Sequence, residues 1–186
     1  MLAKIIMNKK DSNGIKREGA RLSKVRYFTM TGLMAALITI MTAYICHIPV
    51  GANGGYIHFG DALIYLAAVL LPRPYALAAA AIGGGLADLL TAPMWAPATV
   101  IIKMLIMLPF SNKSTKIVTP RNVFATVLAY FISGLSYFLA EYILFGTWSV
   151  LLVSMWGSFI QSGGSAIFFI IFGCALDKVH IKKRFI

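Results

Sequence analysis

From Val123 to Leu176 the chain carries a single ionisable acid, Glu141, and no Lys or Arg. A soluble domain keeps roughly a quarter of its residues charged so that water can cover it. A run this long without charge needs another solvent. Three more apolar runs precede it, Tyr27 to Ile48, Asp61 to Leu90 and Pro97 to Phe110. Several of these reach the roughly 20 residues that cross a bilayer. The chain as a whole agrees: of 186 residues, 59% are hydrophobic and 12% charged, and the mean hydropathy is +0.81. An all-α integral membrane protein is the expected fold class.

The net charge of +11 raises the possibility of a nucleic-acid partner, and its distribution argues against one. Eight of the 17 Lys and Arg fall in residues 1–26, three in one loop (Lys113, Lys116, Arg121) and four at the end (Lys178, Lys182, Lys183, Arg184). Basic residues at the ends of apolar runs mark the cytoplasmic face. No aromatic residues interleave with a basic face, as nucleic-acid binding would need.

The tetrapeptide "LPRP" at 71–74 fixes the number of spans. If 61–90 were one helix, Arg73 would sit near the bilayer centre, at a cost of about 2.5–3.5 kcal/mol. Two prolines would also break that helix. Splitting the run gives six helices. Both termini, Arg73 and the 111–122 loop then share one side, and only Lys103 departs from it. The loops 49–60, 91–96 and 145–155 carry no Lys or Arg. The expectation is a single compact six-helix bundle in a bacterial-type plasma membrane, with both termini inside. Residues 1–26 form a basic cytoplasmic tail, 27–180 the transmembrane domain, and 181–186 a second basic tail. The N-terminus lacks the pattern of a cleavable signal. Cys46 and Cys174 fall near opposite faces, too far apart for a disulfide, and read as packed thiols.

On this topology the polar residues inside apolar runs share one depth. Asp61, Asp88 and Glu141 map to the outer ends of spans, Lys103 about two turns into the fourth, and Gln161 about a turn into the sixth. Intramembrane charge is costly and usually faces the bundle interior, where it pairs or does work. Each residue also has a plain structural reading. Asp61 suits a helix cap. Lys103 suits a packing salt bridge to Asp88 or Glu141, Glu141 suits simple exposure at the interface, and Gln161 suits an interhelical hydrogen bond. His58 suits an ordinary loop, and Trp95, Trp148 and Trp156 suit an interfacial belt. Their common depth points instead to an outward-facing pocket, with Asp88, Lys103, Glu141, Gln161, His58, Tyr56 and Trp95 as its ligand-binding set. The glycine-rich approach Gly54, Gly55 and Gly60, with Asp61 at its end, reads as a movable gate and its hinge. Small residues recur at helical spacing in "ALAAAAIGGGLADLL" (76–90) and in the first span, and allow close helix approach in lipid.

No GxxxxGK[ST] loop occurs, so ATP hydrolysis by this chain is not expected. Neither HExxH nor GxSxG is present, and the three histidines do not group into a metal set. The chain reads as a non-enzyme that binds no cofactor of its own.

The blocks "GYIHFGDALIYLAAVLLP", "GGGLADLL", "PATVIIK" and "FIQ", in that order, resemble the substrate-binding S components of energy-coupling factor (ECF) vitamin transporters. The resemblance covers about residues 27–180 and is nearest the riboflavin-like and hydroxymethylpyrimidine-type branch. It implies a subunit that binds a vitamin from outside and docks on a transmembrane scaffold (T) subunit carrying two cytoplasmic ATPases, which use the ATP. It further implies that small residues on the first span meet the scaffold, here Gly32, Ala36, Thr39 and Ala43 in place of the usual AxxxA-like pattern. The expected ligand is a small heteroaromatic: hydroxymethylpyrimidine first, pyridoxine close behind, riboflavin lower because it needs a longer, more apolar cavity. The rival reading is a small ion- or proton-coupled carrier that works without ATPases.

Overall fold

The computed structural model describes residues 2–45, 48–50, 55–146 and 151–185, and side chains for 21–45, 48, 58–146 and 156–183. Its elements in order are α1 (Leu2–Ala43), β1 (Ile48–Val50), β2 (Gly55–Ile57), α2 (Gly60–Leu70) and α3 (Arg73–Thr91). A 3-10 turn (Pro93–Trp95), α4 (Ala96–Ile106), α5 (Pro120–Phe145), α6 (Leu151–Lys178) and α7 (Ile181–Phe185) follow. Four helical segments are long and apolar enough to cross a membrane: Arg21–Ala43, Arg73–Thr91, Pro120–Phe145 and Trp156–Lys178. Gly60–Leu70 and Pro93–Ile106 are apolar but shorter. Many exposed residues of the long helices are apolar too, among them Leu33, Leu37, Ile82, Phe131, Leu135 and Ile167, as lipid contact requires.

The "LPRP" break is where proline chemistry puts it. Leu71 is extended (φ −100, ψ 153), as a residue before proline prefers, and Pro74 falls in the first turn of α3. The helix it ends, α2, has 11 residues and a length of about 16 Å, half of the hydrocarbon core. Every α2 residue except Leu63 is buried, which explains why the segment is apolar on all sides. The approach to it is not helical: β1 and β2 pair antiparallel, Ile48 opposite Ile57.

The glycine triplet in α3 serves two neighbours. A Cβ on Gly83 would meet the Ile38 side chain of α1 at 2.7 Å, and one on Gly84 would meet Lys103 Cγ of α4 at 2.7 Å. Thr39 bridges the first contact by hydrogen bonding to Gly83 O at 3.0 Å. Helices this close gain dispersion contacts that lipid would not supply.

One end of the bundle gathers the basic segments. Tyr27 of α1 packs on Tyr75 of α3 (centroids 5.2 Å apart), and Arg73 donates to Leu108 O at 3.3 Å. Asn122 accepts from Ser111 N and donates to Ile117 O, folding the 111–119 loop back on α5. Asp177 of α6 accepts from Ile117 N at 2.8 Å and Val118 N at 3.0 Å. Thus Arg73, the polar loop and the end of α6 share one end, as the charge pattern predicts.

The two expected tails are helical. α1 is continuous from Leu2, with no break at residue 26, and α7 occupies Ile181–Phe185 with Lys182 buried. α5 ends at Phe145, at the break expected at 145–149, where Gly146 takes the left-handed conformation (φ 69) of a helix C-cap. Cys174 is a free, exposed thiol on α6 rather than a packed one, and Cys46 lies outside the described residues.

Candidate functional site

At the opposite end from the basic loop, five helices, α2 to α6, contribute polar groups to one site. Asp61 stands in the first turn of α2. It does not cap that helix: α2 begins at Gly60 and its N-cap, Phe59, makes no side-chain cap bond. His58 takes part of that duty, its Nδ1 accepting from Gly60 N at 3.0 Å. A Cβ at position 60 would run into the Thr42 hydroxyl, so only glycine brings α2 this close to α1.

Freed from capping, the Asp61 carboxylate points across the bundle. Its Oδ1 accepts from Lys103 Nζ at 2.6 Å and its Oδ2 from Gln161 Nε2 at 2.9 Å. Lys103 and Asp61 are 1% and 0% exposed. The partner of Lys103 is therefore Asp61, not Asp88 or Glu141 as the sequence suggested. The reason is positional: Lys103 projects back along α4 over Gly84, and that lane leads to the start of α2.

Asp88 belongs to a second, adjoining set. Thr99 donates its hydroxyl proton to Asp88 Oδ2. Thr99 Oγ1 also lies 3.2 Å from the Tyr137 hydroxyl. A threonine hydroxyl has one proton, so Tyr137 is the donor in that second bond. The Tyr137 ring closes the circuit, because Lys103 Nζ lies 5.5 Å from its centroid, within cation–π range. Trp95 packs on Tyr137 (6.2 Å) and Phe145 (6.1 Å). Its indole nitrogen is buried with no hydrogen-bond partner among the described residues.

Of the residues singled out in the sequence, Asp61, Lys103 and Gln161 meet directly. Asp88 and Trp95 join through Thr99 and Tyr137, and His58 is buried beside Gly60. Glu141 is half-buried one turn beyond Tyr137 on α5. Gly55 is in β2, the Tyr56 side chain is not among those described, and Gly54 lies outside the described residues, as does Trp148. The first-span row divides: Gly32 and Ala36 are exposed, whereas Thr39 is half-buried against α3 and Ala43 is buried.

Thr99, Tyr137, Tyr65, Ser162 and Ser165 did not stand out in the sequence. Four of them had a signal. Thr99 precedes Lys103 by four residues, Tyr137 precedes Glu141 by four, Tyr65 follows Asp61 by four and Ser165 follows Gln161 by four. Residues four apart share a helix face, so the turn neighbours of the charged and amide residues mark the same interior.

Buried polar groups drawn from separate helices fix those helices and can also hold a polar ligand. One cation set between two carboxylates leaves negative charge in excess, which favours ligand groups that donate hydrogen bonds. Among the described residues no group of three or more His, Cys, Asp or Glu is arranged to hold a metal ion.

Comparison with known proteins agrees with this architecture. A protein of Pyrococcus woesei described as "Uncharacterized protein in gap 3'region" is 32% identical over 147 residues, covering 77% of this chain and 94% of that protein. The family described as "ECF-type riboflavin transporter, S component" matches residues 22–178, nearly all of the helical bundle. It is a family of transporter subunits, not of enzymes. A helical membrane bundle with an interior polar site, matched over that span, places this chain in the family of ECF-type riboflavin transporter S components.

Proposed function

We propose that this chain is the membrane-embedded substrate-binding subunit of an ATP-driven importer, and that it binds a heteroaromatic vitamin or vitamin precursor in the cluster around Asp61, Lys103 and Asp88. The observation that carries the reading is the linked set Gln161–Asp61–Lys103 beside Asp88–Thr99–Tyr137, buried near one end of an otherwise apolar bundle. Such groups are too costly in lipid to be kept without work. Tyr137 and Trp95 offer ring faces, and the carboxylates offer acceptors for ring or exocyclic N–H groups. In this reading His58 and Glu141 stand at the approach, and the glycine-rich segment before α2 acts as the gate.

The substrate in the family's name makes riboflavin, whose imide N–H suits a carboxylate, a ligand to test. The aminopyrimidine of hydroxymethylpyrimidine and the pyridine of pyridoxine suit the same acceptors with less volume, and hydroxymethylpyrimidine remains the first choice. In this reading six helices are membrane-embedded and both termini are cytoplasmic, because the end with Arg73 and the 111–122 loop carries the positive charge. The exposed Gly32 and Ala36 meet the scaffold subunit, which brings two ATPases.

Isothermal titration of purified protein against riboflavin, hydroxymethylpyrimidine and pyridoxine tests the ligand class. Sub-micromolar binding of one of them is expected, and binding of none overturns the reading. A second reading rests on the Tyr137–Thr99–Asp88 hydrogen-bond chain, which resembles a proton relay in a gradient-coupled carrier. Uptake that continues with the ATPases disabled and collapses with the proton gradient would favour it.

A further inference from the structure

Tyr65 of α2 and Ser162 and Ser165 of α6 place three hydroxyls in the seam between those helices. Each residue lies one to four positions beyond Asp61 or Gln161, so the three continue inward from the Asp61–Gln161 bond. Tyr65 and Ser165 are fully buried and Ser162 nearly so. The Tyr65 hydroxyl lies near Ser162 and the Asp61 carboxylate. Yet none of the three oxygens reaches hydrogen-bond geometry among the described residues, the Tyr65 and Ser162 hydroxyls approaching one another without closing the bond. Below them the seam is sealed by aromatic rings: Tyr65 stacks on Phe110 (4.6 Å) and meets Phe169 edge-on (6.0 Å).

Several helical threonines of this protein have an escape. Thr29, Thr31, Thr39 and Thr91 each donate to the carbonyl four residues back. Ser162 and Ser165 do not take it. An unpaired buried hydroxyl costs about 1–3 kcal/mol, and alanine there would cost nothing of the kind. Three together, between a carboxylate and an aromatic floor, make a hydrogen-bonding surface.

We propose that Tyr65, Ser162 and Ser165 form a hydroxyl-recognition subsite that grips an alcohol group on the ligand's side chain while the ring sits at Asp61 and Gln161. This rests on the ligand-binding reading above and narrows it to ligands bearing an aliphatic alcohol. Each hydroxyl both donates and accepts, which is what an alcohol needs from its site. A ligand lacking the alcohol leaves all three oxygens unpaired.

The test is titration with matched pairs differing in the alcohol-bearing group: riboflavin and lumiflavin, hydroxymethylpyrimidine and its 5-methyl analogue, pyridoxine and 4-deoxypyridoxine. Wild-type protein should prefer the alcohol-bearing member of the pair it binds by about tenfold or more. The Ser162→Ala/Ser165→Ala double variant should lose that preference and keep its affinity for the analogue. Tyr65→Phe should lose part of it. The ligand-free double variant should melt no lower than wild type, because it gives up only unpaired hydroxyls. A preference that survives the double substitution, an equal loss for both members, or a fall in ligand-free melting temperature overturns the subsite. If wild-type protein binds no member of any pair, the ligand-binding reading falls along with it. If it binds and the preference survives, only the subsite falls.

Discussion

Lys103 Nζ and Asp61 Oδ1 are 2.6 Å apart with both side chains shut away from solvent. They join α4 to α2, and Gln161 extends the link to α6. Removing one partner of a buried ion pair strands the other charge, at about 3–5 kcal/mol. Lys103→Met and Asp61→Asn should therefore each lower the melting temperature in detergent clearly. The double variant should recover part of the loss, since it strands no full charge. Single variants that melt like wild type would show the pair contributes nothing to the fold.

The Tyr137–Thr99–Asp88 chain predicts an order of effects. Tyr137→Phe removes the outermost hydroxyl and leaves the Thr99–Asp88 bond intact. Thr99→Val deprives both Tyr137 and Asp88 of a partner. Its cost should be the larger, about 1–3 kcal/mol, because it removes a partner from two groups rather than one. Thermal unfolding of the two variants reads the order directly, and the reverse order would contradict Thr99 as the central link of the chain.

Glycines in the bundle should not respond alike to alanine. At Gly84 a Cβ meets Lys103 Cγ at 2.7 Å, so Gly84→Ala must push Lys103 from its lane toward Asp61. Overpacking of this kind costs about 1–3 kcal/mol, and vitamin affinity should fall as well. A Cβ on Gly163 would meet nothing within 4 Å, and there alanine should be neutral or stabilise by up to about 1 kcal/mol. Equal melting temperatures for the two variants would refute the close approach of α3 and α4.

Lys182 gives the basic end a pH dependence. Burial pushes its ammonium below the ordinary value of 10.5, and Asp177 opposes the shift only in part. The unfolded chain therefore binds more protons than the folded one between the lowered value and 10.5. Stability contributed by this group rises with pH across that window, and the burial penalty is fully present below it. Lys182→Met should flatten the slope and raise the melting temperature at neutral pH. A melting series from neutral pH to about 10.5 checks this, and an unchanged slope would exclude Lys182 as its source.

By itself the sequence determined the solvent and the broad layout. A run such as Val123–Leu176, with Glu141 as its one charged side chain, calls for lipid as its solvent, and prolines at 72 and 74 cannot both lie inside one helix. These are local or compositional constraints, and no partner is needed to read them. The common level of Asp61, Lys103 and Gln161 in the bundle was legible for the same reason, since position along a helix follows from counting. Tertiary structure decided the pairing. Whether Lys103 reaches Asp61, Asp88 or Glu141 depends on the rotation of α4 about its axis, which Gly84 fixes by admitting the lysine stem. That Asp61 points inward rather than caps α2 depends on His58 accepting the Gly60 N–H in its place. Contacts between residues 42 and 100 positions apart leave no periodic trace in the chain, because they are set by how helices pack and not by how each one winds.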